Sequence, residues 1–203
     1  MSEVAGNVTV DSRRKGLPMS TEQFEAACAS SREVLASLQA DQMQNATPCA
    51  SWDVAEIVNH MVGGQQFFAA GMQGQQPAEG QDWASGDFMA AWDEAVAASV
   101  GAFQVDGALE AMVKMPFGEM PGAAVMGLAT NDMFTHGWDL AKATGQSTDL
   151  NPELAAGILA QSQHSIQESY RGPDGKAPFG VEQQCADGSC AADQLAAFLG
   201  RQV

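Results

Sequence analysis

Asp132, His136 and Asp139 stand at i, i+4 and i+7 in the stretch Asn131-Asp132-Met133-Phe134-Thr135-His136-Gly137-Trp138-Asp139-Leu140. A helix through these residues projects all three from one side. The flanks are apolar, with Val125, Met126 and Leu128 before and Leu140, Ala141 and Ala143 after. A carboxylate on the inner side of such a helix is costly unless it is hydrogen-bonded, ion-paired or bound to a metal. The candidate partner is His60, in Trp52-Asp53-Val54-Ala55-Glu56-Ile57-Val58-Asn59-His60-Met61-Val62-Gly63-Gly64. Two imidazoles and one carboxylate make a metal site. Such a set leaves a tetrahedral ion with an open fourth position, the arrangement of a catalytic zinc. Nickel or ferrous iron also suits it. A thiol or water reaching that position loses its proton more readily, and the thiolate is the stronger nucleophile. Asp139 is the candidate catalytic support, orienting His136 as a hydrogen-bond acceptor or substituting as a ligand.

Other residues invite chemistry and have simpler roles. Glu56 sits near a helix start, where a carboxylate serves the helix dipole. His164 reads as a solvent-facing or packing residue. Cys49 precedes a helix N-terminus, a setting that can lower a thiol pKa, although an inert thiol is the simpler state. Met112, Met115, Met120, Met126 and Met133 read as adaptable core. Cys185 and Cys190 flank Ala-Asp-Gly-Ser, a turn that a local disulfide could close, and no histidine lies near enough in sequence to complete a zinc set.

Positioning these residues requires helices. Residues 1–19 read as a flexible tail, and Ser20 or Thr21 as the cap of a first helix reaching about Ala40. Its apolar positions are Phe24, Ala27, Cys28, Val34, Leu35 and Leu38. Ser51 is placed to cap a second helix over 52–71. There the pair Gly63-Gly64, costing about 1 kcal/mol per glycine, calls for close approach of another helix or of a ligand. A third helix is expected over 84–103, with Phe88, Trp92, Val96 and Val100 or Phe103 inward. An extended or hairpin excursion covers 109–118. Pro121 and Gly145 bracket the helix carrying Asp132 and His136. A fifth helix is expected over 152–170 and a short one over 193–199.

The 203 residues suffice for one domain, expected over 20–203, with a core that needs no staples. A formal charge of −16 argues against nucleic acid or an anionic membrane surface as partner. No apolar run approaches the roughly 18 residues that span a bilayer, and residues 1–19 hold no apolar signal-peptide core. The cytoplasm is the expected location.

Thr47-Pro48-Cys49-Ala50-Ser51-Trp52-Asp53-Val54, followed by His60-Met61-Val62-Gly63-Gly64, resembles the TPCxxWxV…HxxGG signature of the DinB-like superfamily. The branch it resembles is the one related to the N-terminal domain of mycothiol-dependent maleylpyruvate isomerase. The stretch from Asp132 through His136-Gly137-Trp138-Asp139-Leu140-Ala141 to Ala143-Thr144-Gly145-Gln146 is similar to that branch's HGWDLAxATGQ pattern, and Phe179-Gly180 with the segment ending at Arg201 fits its C-terminal pattern. The resemblance implies an all-α, up-down-down-up four-helix bundle with a divalent metal on His60, Asp132 and His136. In several relatives that metal activates a small thiol such as mycothiol for transferase or isomerase chemistry. The isomerase proper carries a further C-terminal domain, which a chain of this length is too short to hold in full.

The expected function is therefore a metal- and thiol-dependent transferase or isomerase acting on a small molecule, as a monomer or homodimer, with zinc as the first metal to test. Trp52 with Phe67 or Phe68 is expected to line an apolar pocket. The alternatives are a non-enzymatic metal- or ligand-binding bundle and a helical dimerisation module.

Overall fold

In α1 (Thr21–Ala36), Phe24, Ala27, Cys28, Ser31, Val34 and Leu35 recur at helical spacing and are buried. The computed structural model describes residues 21–77, 80–173 and 176–203. The expected tail over 1–19 and a cap at Ser20 lie outside the described residues. α1 ends earlier than the expected Ala40. The N–H groups of Ser37 and Leu38 turn back to the Val34 and Leu35 carbonyls, and Gln39 is extended before a 3₁₀ turn at Ala40–Gln42.

α2 (Val54–Met72) begins at Asp53, not at Ser51 and Trp52 as expected. Asp53 accepts from the Glu56 N–H at 2.9 Å, while the Glu56 carboxylate accepts from the Asp53 N–H at 2.8 Å. This reciprocal capping box outcompetes a lone serine and occupies Glu56. α3 (Phe88–Phe103) likewise starts later than the expected Ala84. Asp87 caps it through the Ala90 N–H, and the residues before it form a turn tied to Asp82.

The excursion is an antiparallel hairpin, β1 (Met112–Met115) and β2 (Gly118–Pro121), with Met115 paired to Gly118. Val113 and Met115 turn inward, whereas Met112 is exposed and so falls outside the expected methionine core. α4 (Gly122–Thr144) follows Pro121 directly and stops at Gly145, whose φ of 71° provides the left-handed stop that glycine favours. Asn151 caps α5 (Pro152–Ser165), which ends short of the expected Tyr170 because Ile166 is extended; Glu168–Tyr170 is a separate 3₁₀ turn. α6 (Ala191–Phe198) closes the fold.

Side-chain pairs fix the directions of the bundle helices. Phe24 meets Phe103 and Arg32 pairs with Asp93, so α1 and α3 run antiparallel. Ser31 donates to the Met133 carbonyl and Gln146 to that of Val34, so α1 and α4 run parallel. His60 faces Asp132 and His136, while Met72 lies near Gly122, so α2 opposes α4. The order is up-down-down-up, as expected. Two apolar clusters result: Phe24, Ile57, Met61, Trp92, Phe103 and Met133 fill the bundle, while Phe134, Trp138, Leu154, Ile158 and Leu195 join α4 to α5 and α6. Trp138 is buried packing, with its indole N–H donating to Asp193 at 2.9 Å. Cys185 and Cys190 are thiols, not a bridge. Among the described residues no helix is long and apolar enough to cross a membrane.

α1 and α4 pack closely at Gly137. A Cβ there would overlap Ser31 Oγ and come within 3.0 Å of the Ser31 Cβ and 3.2 Å of its Cα. Backbone cannot rotate away as a side chain can, so Gly137→Ala is expected to cost about 1–3 kcal/mol. Urea unfolding of the two proteins measures it; equal midpoints would contradict the close packing.

Candidate functional site

The site is built where the second and third turns of α2 face the middle of α4. Gly63 and Gly64 allow the approach: a Cβ on Gly64 would lie 3.2 Å from Met133 Cε and 3.6 Å from Asp132 Oδ2, and one on Gly63 would lie 3.2 Å from the Trp83 ring. The glycine pair thus has the close-approach role expected of it.

His60 Nε2 stands 3.2 Å from both Asp132 carboxylate oxygens, and His136 Nε2 stands 3.3 Å from Asp132 Oδ1. Ligand atoms of His60, Asp132 and His136 all lie within 4.8 Å of one another. Bonds of about 2.0–2.1 Å to a tetrahedral zinc set its ligand atoms about 3.3–3.4 Å apart. The donor types and spacings therefore fit one divalent ion. Trp52 stacks over the pair, its ring 4.5 Å from that of His60 and 5.4 Å from that of His136.

Asp139 stands behind the triad. Its carboxylate is fully buried and takes His136 Nδ1 at 2.9 Å, so a neutral His136 donating from Nδ1 leaves the Nε2 lone pair free for an ion held with His60 and Asp132. Of the two roles open to Asp139 in sequence, orienting His136 is the one its geometry fits; it is not among the three clustered ligand groups. Arg201 completes the line with Nη2 3.1 Å from Asp139 Oδ2 and Nε 3.3 Å from Oδ1. Arg201 was not singled out for the site in the sequence. It lies 62 positions from Asp139, and its only signal in the sequence is its place in the C-terminal pattern.

Charge explains the protonation states. Burial alone would raise the Asp132 pKa, but the His60 and His136 imidazoles outweigh it and hold the carboxyl far below its usual range. Burial would lower the His136 pKa, yet hydrogen bonds to Asp132 and Asp139 raise it to about 9. Burial opposes ionisation of Asp139 too, and His136 with Arg201 reverses that, lowering its pKa.

The signs yield a pH prediction for metal-free protein. Because the His136 pKa rises from 6.5 to about 9, its stabilisation is complete below the lower value and is lost as pH climbs through the upper one. Metal affinity should run the other way, rising with pH by roughly tenfold per unit for each proton displaced until His136 is neutral. Zinc titrations between pH 6 and pH 9 would check this, and a flat affinity would contradict it.

Two chambers open on the triad. One, of about 880 Å³, is walled by Phe67, Phe68, Phe117, Met120, Leu128 and Phe179. The other, of about 570 Å³, is reached past Cys49, Ser51 and Trp52 on one side and Gly172, Gly180 and Gly200 on the other. His60, Asp132, His136 and Arg201 border both. Phe67 and Phe68 thus line one chamber and Trp52 the other. His164 is exposed at the end of α5, on neither chamber's lining.

Fold and site together define a helical bundle whose antiparallel second and fourth helices bring two histidines and an aspartate to a common point. The chain belongs to the family described as the mycothiol maleylpyruvate isomerase N-terminal domain, which residues 24–141 match. The span includes His60, Asp132, His136 and Asp139, and it agrees with the branch resembled in the sequence. Two relatives are the uncharacterized proteins MT0763 and Rv0738 of Mycobacterium tuberculosis (strains CDC 1551 / Oshkosh and ATCC 25618 / H37Rv). Each is 44% identical over 170 residues, covering 84% of this chain and 91% of the relative. No solved structure matches the chain.

Proposed function

We propose that this chain is a metal- and thiol-dependent enzyme, a transferase or isomerase acting on a small molecule, with His60, Asp132 and His136 holding one divalent ion. The observation that carries the proposal is that the Asp132 carboxylate stands 3.2 Å from His60 Nε2 and 3.3 Å from His136 Nε2, close to two edges of a zinc tetrahedron, with all three donor groups within 4.8 Å of one another. Zinc is the first candidate and nickel or ferrous iron the next. The ion, when bound, supplies a positive charge that favours the thiolate of a low-molecular-weight thiol, mycothiol being the one in the family's description.

The protein's own groups do the rest. Asp132 places one negative charge between two imidazoles, and Asp139 fixes the tautomer of His136 by accepting its Nδ1–H. Arg201 neutralises Asp139, so the buried carboxylate has no need to take a proton from the imidazole. Trp52 packs beside both histidine rings and holds them in place on that side.

Zinc-loaded protein given mycothiol should consume or isomerise a thiol-reactive electrophile, with the rate depending on both metal and thiol. A His60→Ala variant that keeps full activity would overturn the scheme. Metal and thiol both bound without turnover of any substrate would leave a non-enzymatic binding bundle.

A further inference from the structure

Three large side chains left in solvent are gathered in one place. Phe117, Leu128 and Tyr170 are exposed by 57%, 40% and 46%, and all three line the larger chamber beside the triad. Exposed apolar residues scattered singly need no explanation, but a contiguous set around a concavity does. Phe117 sits at the turn of the β1–β2 hairpin, its ring 6.3 Å from that of Phe67 on α2, so the hairpin tip extends the aromatic wall outward. At about 880 Å³ the chamber has the size of a small-molecule site.

Its charges are few. Besides the two histidines, the charged residues lining it are Asp132 and Arg201, and Arg201 is already engaged by Asp139. A small keto acid of the kind in the family's description would find no uncommitted lysine or arginine among the described lining residues. The second chamber is different, bordered by Cys49, Ser51 and the backbone of Gly172, Gly180 and Gly200. It provides a separate approach to the same triad for a polar reactant.

We propose that the larger chamber binds an uncharged, predominantly apolar small molecule, aromatic or branched aliphatic, with its body under the β1–β2 hairpin and its reactive end at the triad. The placement of the reactive end rests on the proposed metal site; the binding itself does not. A small molecule is the occupant favoured over a second copy of the chain because the apolar wall is concave and ends on polar donors, which a flat protein face cannot reach.

The probe is N-phenyl-1-naphthylamine, an uncharged aromatic that fluoresces in apolar surroundings, titrated into metal-free and zinc-loaded protein. One saturable site is expected. Phe117→Asp and Leu128→Asp each place a charge in the apolar wall and should weaken binding by at least about tenfold. Both positions are exposed, so circular dichroism and zinc loading should be unchanged. No saturable binding, or the same affinity in both variants, would overturn the proposal. So would a wild-type dimer that Phe117→Asp makes monomeric, which would identify the wall as a self-association surface. The wild type separates the two claims: saturable probe binding with and without zinc is expected. Probe binding by protein that takes up no zinc would sink the metal site while leaving the chamber standing.

Discussion

Arg201→Ala is expected to destabilise the protein by about 3–5 kcal/mol, the usual cost of stripping one partner from a buried ion pair. Asp139 has no solvent exposure, and its oxygens are shared between His136 Nδ1 and the Arg201 guanidinium. Without Arg201, the carboxylate must stay charged with one partner or take up a proton, and either outcome loosens its hold on His136. Urea unfolding at neutral pH measures the loss. The double variant Arg201→Ala with Asp139→Asn should recover part of it, since no unpaired charge then remains. A loss below about 1 kcal/mol, the range of exposed pairs, would mean that the line from Arg201 to the triad carries no weight.

Asp132→Ala is the second large effect. It should weaken zinc binding by more than about a hundredfold, beyond the 10–100-fold range for residues that only support a ligand. Thiol-dependent turnover should vanish with it. In metal-free protein the same variant has an independent signature. His136 loses the Asp132 hydrogen bond and charge that help raise its pKa to about 9, so its NMR titration should move down toward 6.5. Asp139 remains, so the fall should be partial. An unmoved titration would mean that Asp132 does not face His136 in solution.

The grouping of His60 with Asp132 and His136 was legible partly from local signals and partly from the two motifs that carry the family resemblance. Asp132 and His136 share a helical face, and the Gly63-Gly64 pair beside His60 has no local justification on a helix, so it pointed to a close contact. The proline before α4 and the glycine after it marked that helix correctly. What was missed depended on competition or on distance. Ser51 and Asp53 can both cap α2, and only the reciprocal bond from Glu56 decides between them. The ends of α1 and α5 are set by backbone turns at Ser37 and Ile166 that no glycine or proline announces. Met112 follows the apolar pattern of its neighbours, but it lies on a hairpin, where alternate residues face opposite ways. Arg201 joins Asp139 only through tertiary packing, beyond the reach of any spacing rule.

The decisive measurement is the metal content of protein purified without an affinity column that leaches nickel, beside His60→Ala and Asp132→Ala. The proposed site requires about one divalent ion per chain in the wild type, with both variants nearly empty and still folded. A wild type that is empty as isolated and takes up neither zinc, nickel nor ferrous iron would contradict it, leaving His60, Asp132 and His136 as a partly buried hydrogen-bonded cluster.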